Sequence, residues 1–439
     1  MITNNLKFLL FVLLFPTVLN AQSNKNLSLQ EAIDLGITNS KNLKLSQNKI
    51  DESIARLAIV KDNALPTASA SFLYNHAEIP TNTLNLGGGN PIHLPNRADA
   101  FVGTAAVQEL IYGGGKYKLA QESTKLLTDV ARLAADQNKE EVSYAVINTY
   151  FSLFKVMQSK KVVAQNLEAI AGQLKQAQRF FEQGIVTKND VLRFQLQQAN
   201  VSLTELEIEN NRKIINYNLD ILLGLPEDTQ IAISENELPL KSIEQLNTYL
   251  DLALANRQEL KQLDLQNRVA DVNIKSIKAN TLPTVGVGAN LYYINPSGSF
   301  IPPSSQYIMP ITLGATVSWN VASLWTNKNK VAEARIQQQE VGLQKGILSD
   351  QVKTELNRNY QNYNLAVQRI NVLETSIAQA TENDRLLASK YKNNIASVTD
   401  RIDAETLLYQ AKINLELAKA DAKLAYYTLL KSTGKISQQ

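Results

Sequence analysis

The heptapeptide KDNALPT, residues 61–67, recurs 217 residues later as KANTLPT, residues 278–284. The chain carries further matched pairs, which are Asn39 with Asn256 at the same spacing, and Asp190 with Asp400 and Gly224 with Gly434 at a spacing of 210. A common register over most of each half is hard to obtain by chance. The pattern therefore predicts two structural repeats, residues 22–226 and residues 227–439.

Proline is absent between Pro95 and Pro226 and again after Pro310. Because proline interrupts helices, these stretches permit very long ones. The predicted helices are 28–64, 116–182 and 188–224 in the first repeat, and 245–281, 328–393 and 398–433 in the second. A helix of about 66 residues is a rod of roughly 100 Å, which a globular domain does not need.

Apolar residues within these stretches step by four and three, which predicts coiled-coil seams. Two of the seams are Leu192, Leu196, Ala199, Leu203 and Leu206, and Ala404, Leu408, Ala411, Leu415, Ala418, Ala422, Ala425 and Leu429. Any one segment could instead belong to an ordinary bundle core. Several segments of this length favour coiled packing.

Two peptides, TVGVGANLYY at 284–293 and ITLGATVSWN at 311–320, alternate between apolar and small polar residues. The apolar face ends in Tyr293 and Trp319, which we expect to form part of an aromatic girdle at a membrane surface. A half-buried soluble hairpin would alternate in the same way. The predicted hairpins span 67–111 and 284–321, and since membrane barrels have at least about eight strands, membrane insertion would require several copies of the chain.

The composition excludes several classes of function. Lys7 followed by an apolar run that ends before Ala21 is typical of a secretory signal peptide, residues 1–21. Cysteine is absent, and the two histidines, His76 and His93, lie in a Gly/Pro/Asn-rich stretch, so thiolate sites and cysteine nucleophiles are excluded. With 44 basic and 41 acidic residues, nothing favours nucleic-acid binding. We expect an exported protein that is not an enzyme and holds no cofactor or metal.

Two local motifs carry a family resemblance. DRIDAETLLYQAKINLELA at 400–418 resembles the D-x-x-D-A-x-T-x-L-Y-x-A-K run of the TolC-like outer membrane efflux proteins of Gram-negative bacteria, and FEQGIVTKNDV at 181–191 resembles its first-half counterpart. The resemblance implies a homotrimer that combines a transmembrane β-barrel with a periplasmic α-helical barrel. Each of its two repeats would supply one hairpin and long coiled-coil helices, with equatorial segments at 227–248 and 435–439.

The function that this resemblance implies is export from the periplasm through the outer membrane, as one part of a tripartite efflux pump with a periplasmic adaptor and an inner-membrane transporter. The duct of a type I protein secretion system is the alternative. A structural coiled-coil surface protein and a diffusion porin are weaker ones, since the first needs no matched hairpins and the second needs many short strands. No motif selects a substrate or a transporter class.

Each long helix is predicted to reverse at a short turn. The tip turns are Gly184, Ile185, Val186 and Thr187 in the first half, and Asn394, Ile395, Ala396 and Ser397 in the second. Thr187 stands three residues before Asp190 and Ser397 three before Asp400, as in a capping box worth about 1 kcal/mol. The resemblance implies that these turns dock the adaptor.

Asp403 has no such structural explanation from the repeat, because its counterpart in the first half is Arg193. The resemblance implies that Asp400 and Asp403 face a narrowing pore, where a trimer would gather six carboxylates. Two such charges about 6 Å apart repel by roughly 0.7 to 2.8 kcal/mol at dielectric constants of 80 to 20. We therefore expect a cation-preferring constriction that binds divalent ions. A solvated acid in the first helical turn is the alternative for Asp403.

The resemblance also implies a gate at the tips. In the best-known family members an arginine, four residues before the first acid, bonds a first-half aspartate and a tyrosine. Asp190 and Tyr391 match these two partners, but Ala396 occupies the arginine position. Closure of this tip must therefore use other contacts.

Overall fold

The computed structural model describes residues 24–78, 80, 83–84, 87–93, 96–233, 242–296 and 307–436. The predicted signal peptide lies outside these residues, as do parts of the predicted segments 227–248 and 435–439. The described chain is mostly helical, and its two halves share one order of elements: two short helices, paired strands, a very long helix and a second long helix.

The first half begins with a short strand and ends with a helix that returns from the tip of the longest one. Its elements are β1 (Asn24–Leu27), α1 (Leu29–Asn39), α2 (Lys41–Asp62), β2 (Thr67–Glu78), β3 (Thr83–Leu84), β4 (Ile92–His93), β5 (Arg97–Tyr112), α3 (Lys116–Glu182) and α4 (Lys188–Leu223). The second half contains β6 (Gln230–Ile233), α5 (Leu246–Asn256), α6 (Gln258–Ala279), β7 (Thr284–Pro296), β8 (Ile311–Ser318), α7 (Ser323–Lys392) and α8 (Val398–Ser432). Helix α3 has 67 residues and α7 has 70, so each is about 100 Å long.

Two helices predicted as continuous are each divided in the structure. The predicted helix 28–64 breaks at Ser40 and the predicted helix 245–281 breaks at Arg257, where ψ is 118° and 122°. The reason is tertiary, because the residues at each break contact the ends of other helices. These contacts are a 2.7 Å hydrogen bond from Asn39 Nδ2 to the Leu223 carbonyl and the close approach of Gly434, at φ 71°, to the backbone of Arg257.

The four longest helices pack side by side in the order α4, α3, α8, α7. The predicted seam of α8 is buried there, with Ala422 and Leu429 fully covered. The predicted seam of α4 is not, since Leu196 is 64% and Leu206 is 67% exposed. Helix α4 instead turns a second apolar face, which includes Phe194, toward the interior. Within one chain, the predicted α4 seam therefore has no partner among the described residues.

The strands β2, β5, β7 and β8 form one antiparallel sheet in that order. In this register, the residues that alternate along each strand fall on the same two faces across all four strands. Ala105 pairs with Leu291 and Ala289 with Leu313 on the apolar face, where Leu313 is 82% exposed. The other face is small and polar, with a 2.7 Å hydrogen bond between Ser71 and Thr104. In the described part of the chain, β2 and β8 are edges without a further partner strand.

The two predicted girdle residues lie at opposite ends of this sheet. Trp319 directly follows β8 beside the helices, and its Nε1 donates a 3.0 Å hydrogen bond to the Thr281 carbonyl. Tyr293 lies near the far end of β7 and stacks on Tyr307 at a ring separation of 5.7 Å. Among the described residues, the helices lack a segment of the length and apolarity needed to cross a membrane.

A compact core closes the first half where β1 and β6 pair in parallel beside α1, α3 and α4. Within it Asn216 Nδ2 donates to Asp220 Oδ2 at 2.8 Å and to the Thr229 carbonyl at 2.7 Å. The other Asp220 oxygen is buried without a hydrogen bond from any described residue. Burial raises the pKa of Asp220 to about 6, so this carboxyl becomes protonated at pH values well above those usual for an aspartate.

Candidate functional site at the helix tips

Helices α3 and α7 both end in turns with a left-handed residue. Gly184 has φ 73° and Asn394 has φ 58°, a conformation that glycine and asparagine adopt at low cost. The following amides bond back into the helices, with Ile185 N donating to Phe180 O and Ile395 N donating to Lys390 O, both at 2.8 Å. The side chains of Ile185 and Ile395 are left exposed at the tip, Ile395 at 74%.

Both predicted capping boxes are confirmed. Thr187 Oγ1 donates to Asp190 Oδ2 at 2.7 Å, and Asp190 N donates back to Thr187 Oγ1 at 3.4 Å. Ser397 and Asp400 repeat the arrangement at 2.7 and 3.1 Å. The hydrogen bonds from the Ser397 side chain and backbone hold the pKa of Asp400 below its usual value. Asp400 thus remains ionised as a helix cap.

Asp403 lies one turn into α8 on an exposed face. No donor among the described residues hydrogen-bonds its carboxylate, unlike that of Asp400. Arg193 reaches the same face from α4, where its Nη1 donates to Thr399 Oγ1 at 2.9 Å. The sequence pairs Arg193 with Asp403 as repeat counterparts but does not indicate that Arg193 joins the two hairpins. Only the packing of α4 beside α8 brings this about.

Tyr391 is buried behind the tips rather than presented at the surface. It is 4% exposed and packs between Phe180 and Phe194, at ring separations of 6.1 and 6.0 Å. Its hydroxyl is buried without a hydrogen-bond partner among the described residues. Burial, and then the negative charge of Asp190, raises its pKa. Tyr391 and Asp190 are therefore neighbours without a bond between them in this chain.

A largely buried ion pair joins α7 to α8 just above the turn. Arg401 Nη1 and Asp384 Oδ1 are 2.5 Å apart, with side chains 10% and 20% exposed. Glu405, one turn further along α8, is 7% exposed. Its burial raises its pKa, while Arg401 and a hydrogen bond with Gln173 oppose that shift. Sequence reasoning missed this cluster, although Arg401 is the one basic residue among the acids of DRIDAE and so carried a signal.

The tips therefore combine two neighbouring acids on an exposed face with a buried ionic cluster behind them. Arg193 on Thr399 links the two hairpins, and Arg401 on Asp384 fixes one of them. Across the described ranges of a single chain, no group of three or more His, Asp or Glu side chains is arranged to hold a metal ion. A single copy thus presents exposed carboxylates at this end.

Comparison with known proteins gives matches over nearly the whole chain. Residues 249–435 match the family model described as outer membrane efflux protein. The chain is 20% identical to the outer membrane efflux protein BepC of Brucella suis biovar 1 (strain 1330), over 97% of this chain and 89% of that protein. It is 21% identical to the outer membrane protein TolC of Salmonella enteritidis, over 67% of this chain and 62% of that protein.

The fold is also that of solved structures. The crystal structure of the outer membrane protein VceC from Vibrio cholerae superposes with a TM-score of 0.75, at 17% identity, over 92% of this chain and 96% of that one.

Proposed function

We propose that this chain is a member of the TolC-like outer membrane efflux protein family and that it is the outer membrane channel of a tripartite efflux pump. The resemblance seen in the tip motifs is confirmed by the family and relative matches. The family is one of channels rather than enzymes, and its place is the outer membrane. The family model and the BepC relative are both named for efflux, which favours efflux over the protein-secretion alternative.

The observation that carries the proposal is that both layers of the chain end in unsatisfied surfaces. The layer of long helices ends at α4 on one side and α7 on the other. Both outer faces present exposed apolar side chains in steps of three, four, seven or 18 residues, and each of these steps returns to nearly the same side of a helix. These are Leu192, Leu196, Leu203 and Leu206 on α4, and Ile336, Leu343, Ile347, Leu365 and Val372 on α7. Such stripes are seams for another helix, and here the tip half of α7 in one copy would pack against α4 of the next.

The sheet repeats this logic, since its described edges are β2 and β8. Unpaired edges are available for pairing with another chain. A β8-to-β2 contact joins two different surfaces, and contacts of this kind close into a ring when the rotation allows. Two copies of a four-stranded sheet would give eight strands, a barrel whose interior is filled by its own side chains. Three copies give twelve strands and leave an aqueous duct, so we propose a homotrimer.

The two faces of the sheet fit the two sides of such a wall. The face that carries Leu313 and Leu291 would meet lipid, with Trp319 and Tyr293 as girdle residues near its two boundaries. The face that carries Ser71 and Thr104 would line the water-filled duct. The two halves, with their shared order of elements, are proposed to be structural repeats that alternate around the trimer.

We place the constriction at Asp403 and Asp400, which three copies would gather into a ring of six carboxylates around the axis. Asp400 already forms hydrogen bonds with Ser397 in the capping box, whereas Asp403 is exposed and accepts no hydrogen bond from the described residues. Asp403 is therefore the acid that would set the cation preference and the divalent block. Asp190 and Tyr391 would lie beside this ring as gate neighbours.

The tip turns are the proposed docking surface for a periplasmic adaptor, through which the channel would work with an inner-membrane transporter. The exposed Ile185 and Ile395 side chains at the very end of the helices support this placement. Closure without an arginine at position 396 would use the contact of Arg193 with Thr399 instead, because this contact ties one hairpin to the other.

Single-channel conductance of the purified protein in planar bilayers tests the proposal. We expect one cation-preferring pore per assembly, and the Asp403→Asn change should lower the cation-to-anion permeability ratio by about threefold or more, corresponding to at least about 0.7 kcal/mol of lost interaction. Asp350→Asn, at an exposed acid far from the tip, is the control and should have no effect. Unchanged selectivity in Asp403→Asn would refute the constriction, and the absence of any pore would refute the channel.

A further inference from the structure

A cavity of about 420 Å³ lies between α3, α7 and α8, away from the tips. Its apolar lining includes Phe154 and Val162 from α3 and Ile377 from α7. The volume falls in the range of small-molecule sites, roughly 300 to 1,000 Å³. A concave surface with an apolar floor can hold the body of one small organic molecule.

The rim of the cavity is strongly basic. Four lysines line it, Lys161 from α3 and Lys412, Lys419 and Lys423 from α8, against a single carboxylate, Glu416. Glu416 is paired with Lys419 at 3.1 Å, and lysines outnumber carboxylates four to one in the lining. This excess is a local feature, because the whole chain has a formal net charge of only +3.

The basic rim and the apolar floor are in direct contact. The Lys423 ammonium lies 5.4 Å from the centre of the Phe154 ring, within cation–π range. A ligand with a charged head and an apolar body would satisfy both parts at once. Lysine ammoniums are mobile point charges, unlike the flat fork of arginine, so the head can be a sulfonate, carboxylate or phosphate.

The cavity lies on the opposite side of the helical wall from Asp403. Lys412 follows Asp403 by nine residues, which at about 100° per residue places it roughly 180° around the helix. Lys419 and Lys423 fall within about 20° of the same direction. If Asp403 faces the duct, as the proposed function has it, the basic cavity opens to the periplasm.

We propose that this cavity is a binding site for a small amphipathic organic anion that arrives from the periplasm, outside the export path. The proposal rests on the proposed function only for the direction in which the cavity opens. A bound anion would contact α3, α7 and α8 together and so brace the joint between the two helical hairpins of one protomer.

Isothermal titration calorimetry of the full-length assembly in lipid nanodiscs, with 1-naphthalenesulfonate as the probe, tests the site. The double change Lys412→Gln with Lys423→Gln should weaken binding by about tenfold or more, and Glu416→Gln should strengthen it by about threefold. Lys431→Gln is the matched control, because Lys431 is on the same helix and also lies over an aromatic ring, Tyr144, at 4.4 Å. It should leave the affinity unchanged.

A neutral analogue, 1-naphthalenemethanol, should bind at least tenfold more weakly than the sulfonate, and raised salt should weaken only the sulfonate. Equal affinity of the wild type and the double variant, an equal loss in Lys431→Gln, or no measurable binding would each overturn the site. Block of the single-channel current by the sulfonate would place the cavity in the duct and overturn the outward assignment. Failure to form a pore, with anion binding intact, would refute the proposed function and leave the site standing.

Discussion

Replacement of Arg401 by glutamine should loosen the tip of α8, and the structure gives the size of the effect. The change removes the Arg401 cation from between Asp384, whose side chain is 20% exposed, and Glu405, which is 7% exposed. Removal of one partner from a buried ion pair costs about 3 to 5 kcal/mol, because the remaining charge stays desolvated. Asp384 keeps some access to water, so the lower figure of about 3 kcal/mol applies. At 1.4 kcal/mol per tenfold change, local opening should become about a hundredfold more frequent.

Hydrogen exchange of backbone amides, read by mass spectrometry on peptides from 384–411, measures this opening directly. The exchange of these peptides should accelerate by about two orders of magnitude at pH 7. The acceleration should shrink in acid, because burial already raises the pKa of Glu405 and its protonation removes part of the unpaired charge. Peptides from the middle of α3 should be unaffected, since the perturbation is local.

The neighbouring Arg385 provides the matched control. It pairs with Glu382 at 2.7 Å, but both side chains are more than half exposed, and exposed pairs contribute about 0.2 to 1 kcal/mol. Arg385→Gln should therefore change exchange by less than about fivefold. The reasoning is refuted if the two variants behave alike, or if Arg401→Gln exchanges as the wild type does.

Three further expectations concern other parts of the molecule. The pKa of Asp220 is about 6 in the folded chain and lower when the chain is unfolded, so the free energy of unfolding should fall by on the order of 2 to 3 kcal/mol as pH rises from 4 to 6. Asp220→Asn should flatten this pH dependence in urea titrations followed by circular dichroism. An unaltered pH profile in the variant would contradict the role of Asp220. Ser397→Ala removes a helix cap and should destabilise the start of α8 by about 1 kcal/mol. Amide hydrogen exchange in the first turn of α8 should then become about fivefold faster, whereas unchanged exchange would mean that the capping box contributes nothing. In a chain with no native cysteine, Leu196→Cys combined with Leu386→Cys should form covalent trimers on oxidation, whereas each single variant should not; monomers only would count against the α4-to-α7 seam.

Local features of the fold were predictable from the sequence, because their causes lie within a few residues. The caps at Thr187 and Ser397 follow from a hydroxyl placed three residues before an acid, and both are present. The breaks at Ser40 and Arg257 were not predictable, since no proline or glycine marks them. Contacts with the ends of distant helices produce them.

The α4 seam shows a different limit. A heptad pattern states that a face will be buried, but it does not state against which helix or which copy of the chain. The same limit applies to Arg401 and Asp384, which are 17 residues apart on opposite sides of a turn. Their pairing depends on the register of two antiparallel helices, which residue spacing alone does not give.

The unpaired edges of the sheet have a consequence for how the protein folds and assembles. A lone protomer exposes two strand edges among its described residues and an apolar sheet face on which Leu313 is 82% exposed, and each of these favours aggregation. In the proposed trimer, its strands would gain a stable arrangement only when neighbouring copies are present at the moment of insertion. Folding and assembly would then be one event whose rate depends on the concentration of chains, and the stability of a single protomer would have no meaning apart from that of the proposed ring.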